Sequence, residues 1–565
     1  MKLRNVLKNL GGNQMKVTKK SFLLFVLTLL LSVALIACAS EPGSDDGKED
    51  EPSEGADEKE ETDSGDDAEE GEGSKEGGEL VISKSAEAVS LDPAGSNDVP
   101  SSDVQENIYE SLTQLDENLD VQPQLAESWE AVEDDVWEFK LREGITFHDG
   151  SEFNADVVKA NIERVLDDDM ASPRKFLFEM VTDIEVVDDY TVRFVTEYPF
   201  APLPAHLAHS GGAMVSLDII DQDYAAMEDG KDPGSVVNEN PVGTGYFVFD
   251  EWKSGESIRL VRNEDYWGEN ALLDSVVFKV VSEDLTRVAE LETGDSHISD
   301  PLSPSDYDQI DQTDGASVQT QSSVSLSYIG FNMDKEPYDD VRVRQAISMA
   351  IDKEEIIEGI YEGFGIPAIG PIPPDVFGFD DSVSGLDYDI EKAKELLAEA
   401  GYPDGFETTI WTNDSRERID TAVNLQSQLK EIGIEVKVEE IEWGAYLEQT
   451  ANGEHDMFIL GWSTPTGDAD YAMYALFHSD NFGEPGNRTF TSDPELDALL
   501  EKGRKTPGDD ERLEIYGEAQ ELLVEIAPMI YIHHSEYLLG VRDEVKGLTQ
   551  LPTQILQLQE VYLEE

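Results

Sequence analysis

The chain has a single cysteine, Cys38, in 565 residues. Disulfides and thiol catalysis are therefore excluded from everything that follows it. Basic residues are also scarce: 40 Lys and Arg stand against 123 Asp and Glu, giving a formal net charge of −83. A chain this acidic repels nucleic acid and anionic lipid over most of its surface. The eight histidines are scattered, and the one adjacent pair, His533-His534, would point to opposite faces of a strand. The HExxH zinc pattern and the phosphate-binding loop are missing, and Gly243-Thr244-Gly245 lacks the third glycine of a dinucleotide fingerprint. His209-Ser210 makes no hydrolytic triad without a placed carboxylate. No internal repeat occurs.

What is present starts with a leader. Phe22 to Ala37 is apolar except for Thr28 and Ser32, and Lys16, Lys19 and Lys20 precede it. A basic start, a short apolar core and a small residue before the cut describe a secretory signal. The run is shorter than the ~20 residues a helix needs to cross a bilayer. Leu35-Ile36-Ala37-Cys38 resembles a bacterial lipobox, whose cysteine is acylated and becomes the mature N-terminus. Residues 1–37 then form a lipoprotein signal peptide, and Cys38 is the lipidation site that anchors the chain on the extracytoplasmic face of the cell membrane. Met15 begins a leader of more usual length, so Met1 to Gln14 are either an upstream extension or precede the true start.

Residues 38–78 read as a lipid-anchored, disordered acidic linker. Glu41 to Gly78 holds eighteen acids, three lysines and no aromatic or large aliphatic residue. It cannot bury enough apolar surface to offset its ordering entropy, and it repels itself. A calcium-binding tail would need alternating Asp/Asn with a central Gly, which is absent. The charge divides as +6 on residues 1–40, −15 on 41–78 and −74 on 79–565. The last stretch is too long for one ordinary core, so at least two domains are expected. Salt would screen its self-repulsion, which suits a saline habitat.

Periodicity in the body is mixed. Leu80-Val81-Ile82-Ser83 reads as a buried strand, and Val104, Ile108 and Leu112 place a helix over Asp103–Leu115. Trp137, Phe139 and Leu141 alternate with charged residues as a half-buried strand, and 184–194 reads as a hairpin. Asp340 caps a helix with Val343, Ile347, Ala350 and Ile351 inside. Asp389 caps another, with Ile390, Ala393, Leu397 and Ala400 inside, stopped at Gly401. A third turns Ile419, Val423 and Leu429 inward and leads through Gly433 into a strand over Ile434, Val436 and Val438. The fold class is α/β.

Five ordered blocks carry a family likeness. They are Leu125-Ala126-Glu127-Ser128-Trp129 through Gly144-Ile145-Thr146-Phe147-His148-Asp149-Gly150; Gly243-Thr244-Gly245-Tyr246; Arg262 to Trp267; Tyr328-Ile329-Gly330-Phe331-Asn332; and Asp339 to Ala346 with Ala350-Ile351-Asp352-Lys353. Over residues 79–565 the chain resembles the family 5 extracellular solute-binding proteins, the peptide, nickel and glutathione receptors of ABC importers. The resemblance implies a two-lobed periplasmic-binding-protein-like fold with two crossover hinge strands. Lobe I would comprise 79–325 plus 533–565, and lobe II 326–532. It further implies a monomeric binding protein, not an enzyme, that hands its ligand to membrane permease subunits. No cofactor is implied. Most signature residues read as structural: Gly144, Gly150 and Gly245 in turns, Trp129, Trp137 and Phe147 in the core, Arg342 and Arg344 in surface or interlobe pairs.

Three segments suit a small zwitterion. In the loop from Trp462 through Thr464, Thr466, Asp468 and Asp470, an acid would pair with a ligand ammonium under the Trp. Peptide receptors of the family carry that acid three residues after the Trp, where this chain has Pro465; the Thr-Gly-Asp-Ala-Asp run resembles the glutathione-binding branch instead. In the segment Trp411 to Arg418, Arg416, with Arg418 second, would hold a carboxylate. The third set is Ser101, Ser102, Asn107, Tyr109, Arg174, His209 and Ser210, also similar to the glutathione branch. Glutathione would use Arg174, Arg416 and Asp468. A nickel or haem receptor is the alternative within the family, and an extracellular hydrolase the alternative outside it.

Overall fold

The computed structural model describes residues 76–483 and 486–564, all within one unit, Glu72–Glu565. The leader, Cys38 and the acidic linker up to Lys75 lie outside the described residues. Strand β1 (Glu79–Lys84) buries Leu80 and Ile82 completely. Helix α1 (Val99–Ile108) follows, capped by Asp98, whose carboxylate accepts the Ser101 N–H at 3.0 Å, with Pro100 in its first turn. The periodicity over Asp103–Leu115 had placed this helix too far along the chain. Its end is set from outside: the Ile108 carbonyl accepts the Gly245 N–H at 2.9 Å, and the chain leaves extended at Tyr109. Leu112 is buried but beyond the helix. Gly245 is therefore a close-approach glycine rather than a turn glycine, since a Cβ there would stand 2.7 Å from the Asn107 carbonyl oxygen.

Strands β2 (Ala126–Glu133), β3 (Val136–Leu141), β4 (Val181–Asp188) and β5 (Thr191–Thr196) form an antiparallel sheet in the order β2-β3-β5-β4. The alternation in β3 turns Phe139 and Leu141 inward, where Trp129 and Phe194 meet the Phe139 ring at 6.2 and 5.5 Å. Phe147 is buried, and Trp129 and Trp137 pack half-buried against the same core.

The rest of the chain builds one eleven-stranded sheet with β1. Its further long strands are β6 (Phe247–Lys253), β7 (Ser257–Arg262), β8 (Ser275–Val280), β9 (Ile298–Asp300), β10 (Ala316–Phe331), β11 (Glu407–Thr412), β12 (Glu435–Glu440), β13 (Met457–Ser463) and β14 (Met529–Arg542). The order is β12-β11-β13-β10-β14-β9-β1-β8-β7-β6, with the short strand Ile366–Pro367 added on β14. Two strands run through both halves of this sheet. β10 pairs antiparallel with β14 from Ala316↔Arg542 to Ser322↔Glu536, loses register, and resumes from Leu326↔His534 to Gly330↔Met529. On one side of the break β14 also holds β9; on the other β10 also holds β13. Separate apolar cores follow: one around β1, β8 and the four-stranded sheet, with Leu539, Leu556 and Val561 returning to it, and two more beyond the break.

Beyond the break the α/β reading holds element by element. Asp340 caps α2 (Val341–Met349) through the Arg342 N–H at 2.9 Å, and Asp389 caps α3 (Ile390–Glu399) through the Lys392 N–H at 2.9 Å. Helix α4 (Arg416–Leu429) buries Ala422, Leu425 and Leu429. Val423, expected inside, is half exposed, because one residue turns the helix about 100° away from the Ala422 face. Helices α5 (Ala469–Phe477), α6 (Pro494–Lys505) and α7 (Asp509–Ile526) also lie beyond the break, as do shorter helices over Lys353–Ile360 and Trp443–Ala451. Arg342 pairs with Asp340 at the surface, 2.5 Å apart. Arg344 makes no such pair: it is buried and donates to the Tyr338 and Ile526 carbonyls, each at 2.6 Å, satisfying the open C-terminal end of α7.

Candidate functional site

A cleft of about 1720 Å³ opens where β10 and β14 lose register, larger than the roughly 300–1,000 Å³ of sites for drug-sized ligands. Ser325, Ser327, Ser535 and Tyr537 line it at the crossover. Ser325 and Tyr537 share a hydroxyl–hydroxyl hydrogen bond of 2.5 Å, and Ser323 Oγ donates to the Ser535 carbonyl at 2.5 Å. Short polar side chains thus replace ladder bonds where the two strands are interrupted.

One wall comes from α1 and the 208–213 turn. Ser102, Glu106, Tyr109, His209 and Ser210 line it. Arg174 stands directly behind, fully buried. Its guanidinium donates to the Ser96 carbonyl, to His209 Nδ1 at 2.5 Å, to Ser210 Oγ at 2.8 Å and to Ser102 Oγ at 3.1 Å. All are neutral acceptors. Burial brings the Arg174 pKa down to about 10, and no carboxylate makes an ion pair with it. His209 also accepts the Gly211 N–H at Nδ1, so its ring is neutral; burial and Arg174 push its pKa well below 6.5. Glu110 is fully engaged by the hydroxyls of Thr244 and Tyr266 and the indole N–H of Trp267, at 2.7–2.8 Å. Glu106, one turn after Ser102, has no hydrogen bond or ion pair among the described residues.

The opposite wall holds Asn413, Arg416, Arg418, Trp443 and Trp462. Arg416 is exposed and reaches Ser305 Oγ at 3.1 Å. Arg418 donates to Asn413 Oδ1 at 3.0 Å and lies 5.6 Å from the centre of the Trp443 ring. Tyr471 closes one end, its ring 5.8 Å from those of His209 and Trp462.

Several residues read as ligand contacts do not face this space. Asp468 caps α5 and pairs with Arg512 at 2.7 Å; Asp470 pairs with Arg504 at 3.1 Å and stands 3.6 Å from His206. Both carboxylates are buried and already matched by a guanidinium, so neither is open to an ammonium. Thr464 and Thr466 are buried beside them. Trp411 packs its indole against His455, 6.2 Å between rings, behind the wall. Ser101 is buried and accepts the N–H groups of Val89 and Ser90; Asn107 binds Tyr246 and the Asp103 carbonyl. Tyr109 borders the cleft, but its hydroxyl donates to the Leu91 carbonyl at 3.0 Å. Glu106 and Trp443 were missed. For Glu106 the signal was present: with Asp98 as cap, Ser102 and Glu106 fall on one face.

The described residues hold no group of three His, Cys, Asp or Glu able to take a metal, and no helix among them is long and apolar enough to cross a membrane.

Residues 120–484 match the bacterial extracellular solute-binding proteins, family 5 Middle. The chain belongs to this family. The glutathione-binding protein GsiB of Salmonella typhi is 32% identical to this receptor over 461 residues, covering 80% of this chain and 88% of that one. Heme-binding protein A of Haemophilus influenzae is 34% identical over 478 residues, covering 79% and 85%. Among solved structures, the ABC transporter-associated periplasmic binding protein DppA from Helicobacter pylori, in complex with the peptide STSA, has a TM-score of 0.79 at 32% identity, covering 87% of this receptor and 99% of DppA. Like these proteins, the receptor is a two-lobed, extracytoplasmic solute-binding protein.

Proposed function

We propose that this family 5 receptor captures glutathione or a short peptide in the cleft and delivers it, chemically unchanged, to the permease of an ABC importer. It would act as a monomer, tethered through an acylated Cys38. The lobes would be 79–325 with 533–565, and 326–532, closing about the interruptions at Ser323–Ser325 and Ser535. The observation that carries this reading is the cleft itself, spacious and lined by Glu106 and Ser102 on one wall and Arg416 and Arg418 on the other. A carboxyl on one wall and guanidinium groups on the other suit a ligand bearing both an ammonium and carboxylates.

The test is a thermal-shift panel of reduced and oxidised glutathione, di- to pentapeptides, nickel and haemin. A ligand at a hundred times its Kd adds about 2.7 kcal/mol to the folded state. A raised midpoint with glutathione or peptides is expected. A shift with haemin alone would favour the haem reading, which the likeness to Heme-binding protein A motivates. Hydrolysis of a bound peptide would overturn the non-enzymatic reading.

A further inference from the structure

The wall formed by α1 combines two features that are separately costly. Arg174 is a buried cation that hydrogen-bonds only neutral acceptors, with the Asp98, Glu106 and Asp92 carboxylates near it but none paired to it, and it touches the Ser102 and Ser210 hydroxyls that line the cleft. A buried charge with no directly paired counter-ion is costly to hold, and a bound anion would offset part of that cost. Ser102 also donates to the Asp98 carbonyl at 3.1 Å and shares a 2.9 Å bond with Ser210. With the Ser102 proton on the Asp98 carbonyl, Ser210 is the donor in the shared bond, and a carboxylate in the cleft takes the Ser210 proton in exchange for that bond. Both hydroxyls lie at the N-terminal end of the ten-residue helix α1 or beside it, where the helix dipole favours an anion. The second feature is Glu106, half-buried, facing the cleft, and without a bonding partner among the described residues.

Ser102 and Glu106 are one helical turn apart, which brings their Cβ atoms to roughly 5–6 Å. That spacing fits a carboxylate and an ammonium carried by the same carbon, each reaching out by one hydrogen bond. We propose that this wall is the subsite for a free α-amino-acid head: the ligand carboxylate on the Ser210 hydroxyl, braced by Ser102 and backed by Arg174, and its ammonium on Glu106. The inference rests on the receptor reading above and narrows it. An ordinary peptide separates its ammonium and carboxylate by the length of its backbone. A γ-linked peptide, whose first residue is joined through its side chain, keeps both on one carbon.

The charged and titratable groups facing Glu106 are Asp103 on its own helix, Arg174 behind the wall, and Tyr246 across from it. Burial, with help from Asp103 and against the pull of Arg174, brings the Glu106 carboxyl up to about 8. The empty subsite is then protonated at neutral pH, whereas an ammonium requires it ionised. Binding therefore releases a proton, and affinity rises with pH, by at most about tenfold per unit, below pH 8.

The experiment is titration calorimetry on the receptor at pH 6 and pH 7.5, in buffers of different ionisation enthalpy. The probes are reduced glutathione, its isomer with an α-linked first residue, and free L-glutamate. Glutathione is expected to bind at least tenfold more tightly than the α-linked isomer and to release close to one proton. Measurable binding of glutamate, with the same proton release, would place the head group alone at the subsite; silence from glutamate with tight glutathione binding would assign it to γ-linked peptides. Glu106→Gln should lose the preference and the proton release, and Ser102→Ala with Ser210→Ala should weaken glutathione at least fivefold; both variants should melt like the parent. Equal affinity for the two isomers, or proton release unchanged in Glu106→Gln, would overturn the subsite while leaving the receptor reading intact. Failure of all three probes and of every di- to pentapeptide would overturn both.

Discussion

Asp468 shows how far a residue's chemistry and its role can separate. It lies in a loop of hydroxyls beyond Trp462, the setting in which a carboxylate reads as a ligand contact. Arg512, 44 residues on, pairs with it, as Arg504, 34 residues on, pairs with Asp470. Nothing local signals either partner, so the sequence left these acids open and the fold closes them. Asp468→Ala would leave the Arg512 guanidinium buried without its counter-ion, and breaking a buried pair in this way costs about 3–5 kcal/mol. Denaturant unfolding should show that loss, while ligand affinity of the folded protein stays within about twofold. A collapse of affinity at unchanged stability would restore Asp468 to the binding site. Arg416 and Arg418 were legible because they stand at a helix start on the strand-to-helix loop, a position fixed by local sequence alone.

Among the elements, helix α3, which begins at the Asp389 cap and stops before Gly401, came out where periodicity put it, because both signals act within one turn. Helix α1 did not, since Gly245 ends it from 137 residues away. Strand β14 carries a different consequence. His533 and His534 are both buried in it, and burial pushes each pKa down to about 4. Between pH 4 and about 6.5 the unfolded chain takes up protons that the folded chain refuses. Stability should therefore fall as pH drops from 6.5 toward 4, by at most about 1.4 kcal/mol per unit for each histidine. Melting midpoints measured from pH 7.5 to pH 5 should decline, and His533→Gln with His534→Gln should decline less steeply. Equal slopes would place the acid sensitivity elsewhere.

For the whole molecule, charge is the dominant fact. Residues 79–565 carry a formal charge of −74, and Arg164, Arg504 and Arg512 are consumed in buried pairs, where they do not offset the acidic surface. Self-repulsion on this scale should weaken with salt, since screening shortens from about 30 Å at 0.01 M to about 3 Å at 1 M. The melting midpoint is expected to rise between 0.05 and 1 M NaCl, with chloride in place of sulfate so that screening is separated from surface exclusion. A flat or falling midpoint would show that internal ion pairs, weakened by the same salt, outweigh the surface.

The register break has a consequence for how the chain could have been assembled. Ser322 and Glu536 are direct partners on neighbouring antiparallel strands, so their Cα atoms are about 4.5–5.5 Å apart. Everything from Ser323 to Ser535 leaves and re-enters the first half through that one gap. In covalent terms the second half is a long insertion with adjoining ends. A tight two-residue turn across Ser322 and Glu536 could close the remaining chain, whose own apolar core is drawn almost wholly from residues outside the insertion. Such a shortened protein should still melt cooperatively while binding nothing.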